Sequence, residues 1–124
     1  MHFRRRPWTR KFADAFRGLS RAVRSQSSFA VHLAVAAVVI ALAAALRVSA
    51  VEWCLLVGAI AVVLTAEIFN SAVESLARAF GTGWNPRVRD ALDMASAAVL
   101  VAACGAAVVG LIVFGSRLLT LVGS

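Results

Sequence analysis

Four polar side chains stand at helical spacing inside an otherwise apolar stretch of the chain. They are Glu67, Asn70, Ser71 and Glu74, at positions i, i+3, i+4 and i+7. This spacing places all four on one side of a helix. Counted inward from Arg78, Glu74 lies about 6 Å and Glu67 about 16 Å deep at roughly 1.5 Å per residue. Carboxylates near a membrane centre cost about 2.5 kcal/mol or more each unless they face protein, water or a cation. Their presence therefore predicts a functional site.

Two further acids, Asp90 and Asp93, stand at the start of the last apolar stretch. One interpretation is local, since Asp90 can cap a helix N-terminus and Asp93 can interact favourably with the helix dipole. The other is that antiparallel packing of the last two helices brings these aspartates close to Glu74. Three or four converging acids suit Mg²⁺, which prefers carboxylate oxygens and keeps waters and phosphates as its other ligands. On the second interpretation, these acids form a predicted Mg²⁺ site at one face of the membrane.

Long apolar runs must position these groups. The chain has 124 residues, 61% of them apolar, with a mean hydropathy of +0.86. The runs predict membrane-spanning helices over about 29–48, 53–80 and 91–116, each able to cross a core of about 30 Å. The predicted fold is therefore an all-α membrane protein whose transmembrane domain comprises residues 29–124. A secretory signal is a less favoured interpretation of the first run, because the basic segment before it is longer than a normal n-region.

Residues 1–28 form a basic N-terminal segment. From Arg10 to Arg24 the apolar side chains recur at helical spacing and the arginines form a second stripe. The apolar members are Phe12, Phe16, Leu19 and Val23. This pattern predicts an amphipathic helix lying on the membrane surface. A plain juxtamembrane anchor with no catalytic part is the alternative.

The basic residues predict the orientation of the chain. Eight precede the first span: Arg4, Arg5, Arg6, Arg10, Lys11, Arg17, Arg21 and Arg24. The first connection carries Arg47, and the second carries Arg78, Arg87 and Arg89. The positive-inside rule then places the N-terminus and the second connection in the cytoplasm. Because most of the net charge of +7 lies beside the first span, anionic lipid headgroups are the expected partner, and nucleic acid is not. His32, on the first predicted span, could carry a proton, but a lone histidine near the interface is more often a packed or hydrated side chain.

Two stretches of sequence form a specific pair of motifs. Residues 66–74 read AEIFNSAVE and residues 93–100 read DMASAAVL. Together they resemble the prokaryotic diacylglycerol kinase and undecaprenol kinase family. The resemblance runs from about Phe12 to the last span, and it includes Gly18-Leu19, residues 29–32 and residues 86–89.

The resemblance implies a homotrimer of three-span subunits in the bacterial inner membrane. It implies transfer of the ATP γ-phosphate to a lipid hydroxyl at the cytoplasmic face, with Mg²⁺ as cofactor. Residues 93–98 look more like the diacylglycerol branch of the family and residues 29–32 more like the undecaprenol branch. Diacylglycerol is the first expected acceptor and undecaprenol the second. By position, Glu67 would be the general base and Glu74 would hold Mg²⁺. Asn70 and Ser71 would bind substrate or nucleotide, and Asp93 would support the nucleotide.

Three positions depart from the family pattern. Gln26 stands where the family usually has a metal-binding Glu, Leu92 where it has Lys, and Arg78 where it often has Asp. Gln26 stays in the predicted binding set as a neutral side chain. We expect Asp90 to replace the lost carboxylate and Arg89, or else Arg87 or Arg78, to replace the lost lysine.

Two other functions fit parts of the sequence. A catalytically degenerate relative would keep the helical polar cluster for lipid or nucleotide binding. A small proton-coupled exporter would use Glu67 but would not need the acids at Asp90 and Asp93.

Overall fold

The chain folds into helices throughout the residues that the computed structural model describes, which are 5–25, 27–81 and 85–123. Within these ranges there are four helices and no strand. The helices are α1 (Trp8–Ser25), α2 (Ser27–Leu46), α3 (Ala50–Ala79) and α4 (Pro86–Gly123). The predicted all-helical class is thereby confirmed.

Three helices are long and apolar enough to cross a membrane. The apolar segments are Phe29–Leu46 in α2, the whole of α3 and the whole of α4. Most of their large side chains, among them Val38, Phe69 and Leu111, are exposed on the single chain. Exposed hydrocarbon on this scale needs lipid or another protein surface as its neighbour. The structure therefore contains the three long apolar helices that the sequence predicts as candidate membrane spans.

The N-terminal segment contains the helix that its periodicity predicts. α1 contacts α2 and α3, while Trp8, Phe12 and Phe16 are each more than 60% exposed. Lys11 Nζ lies 4.6 Å from the centre of the Trp8 ring, within cation–π range. The position of α1 on the membrane surface stays a prediction.

The turn between α2 and α3 ends one helix and begins the next within a few residues. Arg47 adopts a left-handed conformation with φ 53°. Its N–H bonds to the Ala44 carbonyl at 3.3 Å, and the Val48 N–H bonds to the Ala43 carbonyl at 3.2 Å. These are the two hydrogen bonds of a Schellman motif. Ser49 then starts α3 with a reciprocal capping box, in which Glu52 Oε1 accepts from the Ser49 N–H at 2.9 Å.

α4 begins earlier than its hydrophobicity suggests. Asn85 Oδ1 accepts hydrogen bonds from the N–H groups of Arg87 at 2.9 Å and Val88 at 3.4 Å, and Pro86 occupies the first helical position, where its missing N–H has no cost. The expectation that Asp90 caps this helix is wrong, because Asn85 already does so. Asp90 and Asp93 therefore lie within the helix, past its first turn.

Buried residues form one stripe on α2 and one on α3. On α2 the stripe comprises Phe29, His32, Ala36, Val39 and Ala43, of which His32 and Val39 are half-buried. On α3 it comprises Leu56, Val63, Glu67 and Asn70. The α2 positions recur every three or four residues and the α3 positions every three, four or seven, as expected for one face of a packed helix. The stripes are apolar at the α2–α3 turn, where Ala43, Val48, Leu56 and Val113 form a core cluster, and polar at the other end.

An arginine from α4 forms a hydrogen bond to the C-terminal end of α2. Arg117 Nε donates to the Leu46 carbonyl at 2.8 Å, and the bond is partly buried. The last carbonyls of a helix lack partners within the helix. Arg117 therefore joins α4 to the end of α2 beside the apolar cluster.

Replacement of Arg117 by methionine should destabilise the fold without changing the opposite, polar end. A hydrogen bond from a charged donor contributes about 1.5–3 kcal/mol, so we expect a lower midpoint of thermal unfolding in detergent. Arg10→Met, on the exposed surface of α1, is the control and should leave the midpoint unchanged. Equal midpoints for both variants and the unmodified protein would contradict the capping role of Arg117.

Candidate active site

The polar cluster predicted on one helix face is present on α3. Glu67 is 3% exposed and Asn70 is 9% exposed. Ser71 and Glu74 are half-buried one turn further along. The i, i+3, i+4, i+7 spacing thus continues the buried stripe of α3 with polar side chains in place of apolar ones.

Glu67 is paired with a histidine from the neighbouring span. His32 Nε2 of α2 lies 2.8 Å from Glu67 Oε1. The Glu67 side chain is 4% exposed and that of His32 is 25% exposed. A buried carboxylate is tolerated when hydrogen-bonded groups replace the water it has lost. His32 is therefore packed against the buried Glu67 carboxylate, a specific contact that the sequence did not predict.

Asn70 connects the deep part of the cluster to its shallow part. Its Nδ2 donates to Glu74 Oε1 at 3.1 Å. Its Oδ1 is buried and has no hydrogen-bond partner among the described residues, and the same holds for Ser71 Oγ. Buried oxygens of this kind are normally hydrogen-bonded. These two oxygens, on neighbouring residues of α3, could therefore bond to a partner that the described residues do not provide.

The acids of α4 are arranged differently from the cluster on α3. Asp90 and Asp93 are exposed, and Asp93 Oδ2 lies 3.9 Å from Arg89 Nε in an exposed pair one turn apart. Within the described part of the chain, no three His, Cys, Asp or Glu side chains are grouped closely enough to hold a metal ion. A single chain thus does not assemble the expected convergence of three or four acids.

The three positions that depart from the family pattern have different surroundings. Arg78 is exposed at the end of α3, and Leu92 is half-buried on α4. Gln26 lies outside the described residues. The structure therefore adds a location for Arg78 and Leu92 and nothing for Gln26.

An open apolar groove runs between α3 and α4. Its volume is about 640 Å³. Its lining is almost entirely apolar and consists of Ala61, Val62, Thr65, Ala66, Met94, Ala97, Ala98, Val101 and Ala102. Ala66 borders Glu67 in the sequence, so the groove ends at the level of the polar cluster. A surface of small and apolar side chains at this depth suits a hydrocarbon chain or a second helix.

The similarity to known proteins extends over the candidate spans and the polar cluster on α3. The sequence profile of prokaryotic diacylglycerol kinase matches residues 13–114. The chain belongs to the prokaryotic diacylglycerol kinase family. Undecaprenol kinase from Bacillus subtilis (strain 168) is 28% identical over 109 residues, which cover 88% of this chain and 89% of that relative. The family resemblance inferred from the two motifs is confirmed.

Membership of this family places the cluster in a protein of the lipid kinase class. The matched region includes α2, α3 and most of α4, and so contains Glu67, Asn70, Ser71, Glu74, Asp90 and Asp93. A kinase is therefore favoured over the exporter that the buried glutamate alone also allowed. The individual roles of these residues stay predictions.

His32 is the member of the cluster that sequence analysis missed. The signal was available, because Glu67 needs a partner and His32 is a titratable side chain inside the first predicted span. Spacing within one helix cannot show which residue of another helix it faces. The contact between α2 and α3 supplies that information.

The partnerless hydroxyl of Ser71 can be tested by its effect on stability. A buried polar group without a partner costs about 1–3 kcal/mol, so Ser71→Ala should leave the midpoint of thermal unfolding unchanged or raise it. Ser49→Ala is the matched control. It removes the capping box of α3, which contributes about 0.5–2 kcal/mol, and should lower the midpoint. A lower midpoint for Ser71→Ala would mean that the fold itself uses this hydroxyl.

Proposed function

We propose that the protein is a membrane lipid kinase that transfers the γ-phosphate of ATP to a lipid hydroxyl at the cytoplasmic face. The observation that carries the proposal is Glu67, a carboxylate 3% exposed inside a span of a lipid kinase family member. Such a group is costly in the membrane, and family membership supplies the reaction that uses it.

The acceptor is a lipid alcohol whose tail lies in the membrane. The motif beginning at Asp93 favoured diacylglycerol, whereas the relative from Bacillus subtilis is an undecaprenol kinase. The alignment with that relative covers most of both chains. We therefore propose undecaprenol as the first acceptor and diacylglycerol as the second. The groove between α3 and α4 offers an apolar surface for the lipid tail next to the polar cluster.

Glu67 acts as the general base. As the lipid oxygen forms its bond to the γ-phosphorus, the hydroxyl proton passes to the Glu67 carboxylate. The bond from the γ-phosphorus to the bridging oxygen breaks at the same time, and ADP leaves. Phosphoryl transfer depends mainly on in-line placement and on stabilisation of charge. The protein therefore needs to position the hydroxyl and to accept one proton.

The shallow part of the cluster has donors that fit Mg²⁺. Carboxylate and amide oxygens are the protein ligands that Mg²⁺ prefers, and one or two carboxylates suffice when phosphates provide the rest. Glu74 would supply a carboxylate and Asn70 its partnerless Oδ1, with Asp90 as the predicted second carboxylate. When bound, the metal ion would neutralise negative charge on the ATP phosphates.

The nucleotide is held at the start of α4. Arg89 and Asp93 form an exposed pair at 3.9 Å, which places a guanidinium beside the aspartate predicted to support the nucleotide. Guanidinium groups bind phosphates well because their donors form a rigid fork. We therefore assign to Arg89, rather than Arg87 or Arg78, the role of the lysine that Leu92 replaces.

The assembly proposed is a homotrimer in the bacterial inner membrane with the N-terminus in the cytoplasm. The basic residues ahead of the first span support the orientation. Exposed apolar and small side chains on α3 and α4 support close contact with further helices. Because the acids of one chain do not converge, a second subunit offers a route for α4 to reach the α3 cluster.

The proposed reaction can be tested with labelled ATP. Purified protein in mixed micelles with Mg²⁺ should transfer label from [γ-³²P]ATP to undecaprenol, and more slowly to diacylglycerol. [α-³²P]ATP is the control and should label neither lipid. A folded protein that labels neither lipid from γ-labelled ATP would contradict the proposal, and Mg²⁺-dependent nucleotide binding without transfer would identify a degenerate family member.

The assignment of Arg89 predicts a specific loss. Arg89→Ala should raise the KM for ATP and lower kcat, together reducing kcat/KM by about tenfold or more, the usual scale for loss of a charged clamp on the phosphates. Arg87→Ala, two residues away on the same helix, is the matched control and should retain most of the activity. Equal kinetics for the two variants would assign the phosphate contact elsewhere.

A similar comparison tests Asp90. Asp90→Asn removes the carboxylate that we expect to replace the one missing at Gln26, and it should raise the Mg²⁺ concentration needed for half-maximal activity. Asp14→Asn changes an acid on α1 and is the control. An unchanged Mg²⁺ requirement for Asp90→Asn would exclude Asp90 as a metal ligand.

A further inference from the structure

His32 and Glu67 form a contact between two spans at the polar end of the bundle. His32 Nε2 on α2 is 2.8 Å from Glu67 Oε1 on α3, which is an ordinary hydrogen-bond distance. His32 belongs to the buried stripe of α2, one turn after Phe29, which is 1% exposed. The packing of Phe29 thus fixes the helix face on which the imidazole lies.

The contact restricts the orientation of the carboxylate. A glutamate has three rotatable side-chain bonds, and the last of them has a broad preference. A hydrogen bond to Oε1 from a neighbouring helix removes much of this freedom. For a general base, orientation matters because the proton must be within about 2.6–3.2 Å of the accepting atom.

We propose that His32 is a positioning residue for the general base Glu67. Its Nε2–H donates to Oε1 and holds the plane of the carboxylate in the orientation that receives the proton of the lipid hydroxyl. The proposal rests on the kinase activity proposed above and adds to it a residue of the first span. The Nε2 proton stays on His32 throughout, because the proton released by the hydroxyl goes to Glu67.

The environment of the pair favours positioning over a purely structural role. The apolar cluster at the other end of the bundle already joins α2, α3 and α4 through Ala43, Leu56 and Val113. A polar contact between spans adds modest stability compared with apolar packing of this extent. The main effect of the His32 contact is therefore on the orientation of the Glu67 carboxylate.

Two amide substitutions separate the hydrogen bond from the rest of the imidazole. In His32→Gln the amide nitrogen occupies the place of Nε2, and in His32→Asn it occupies the place of Nδ1, short of Glu67. We measure kcat and the KM values for lipid and ATP, together with the midpoint of thermal unfolding. His32→Asn should lose at least about tenfold in kcat with little change in the KM for ATP, since small misplacements of catalytic groups are costly. His32→Gln should recover most of the loss.

The outcomes distinguish this inference from the proposed function. An active unmodified protein with equal kcat in both variants would overturn the positioning role and leave the kinase in place. Equally low kcat in both variants would also overturn it, because an amide donor in the place of Nε2 would then not replace the imidazole. An unmodified protein without kinase activity would overturn the kinase and the positioning role together.

A second measurement does not depend on turnover. The sequence has two histidines, so His2→Asn leaves His32 as the single one for selective ¹⁵N labelling. The expected NMR result is a proton on Nε2, with a resonance that shifts in Glu67→Gln. An unprotonated Nε2 would overturn the proposed donor role.

Discussion

A carboxylate inside the hydrocarbon core of a membrane costs about 2.5–3.5 kcal/mol on insertion scales. Glu67 lies within α3, a candidate span, with 3% of its surface exposed. The surrounding structure has to reduce this cost. His32 contributes a hydrogen-bonding partner from α2, and the residues that follow on α3 continue the polar face to Glu74. The arrangement of the first two spans at this end of the bundle thus depends on keeping one acid buried and oriented.

The two ends of the helix bundle have different roles. One end stabilises the fold, and the other carries the polar groups of the candidate site. At the turn between α2 and α3, the Schellman motif at Arg47, the capping box at Ser49 and the contact from Arg117 satisfy the backbone around an apolar cluster. At the other end, buried oxygens of Asn70 and Ser71 lack partners among the described residues. Unsatisfied buried groups are expected where a ligand completes the site. The polar end is therefore the end at which the proposed nucleotide, metal ion and lipid would bind.

Periodicity within single helices was sufficient to predict much of this structure. The four-residue cluster on α3 follows from spacing alone, and the three spans follow from hydrophobicity. Contacts between residues of different helices were harder to predict from the sequence. The His32–Glu67 contact depends on the rotation of α2 relative to α3, which no pattern within either helix encodes. The start of α4 was obscured because Asn85 and Pro86 cap it outside the apolar run. The expected meeting of Glu74 with Asp90 and Asp93 failed within one chain, since it was inferred from antiparallel order without the relative faces of the helices.

We infer that Glu67 is buried for the proposed reaction and not for the stability of the fold. The most direct measurement is to compare Glu67→Gln with the unmodified protein in one preparation, by thermal unfolding and by lipid phosphorylation. Glutamine keeps an oxygen that can accept the hydrogen bond from His32 but cannot serve as a base of comparable strength. We predict an unfolding midpoint equal to or above that of the unmodified protein, with lipid phosphorylation lost. A lower midpoint with phosphorylation retained would contradict the claim, because the carboxylate would then serve the fold.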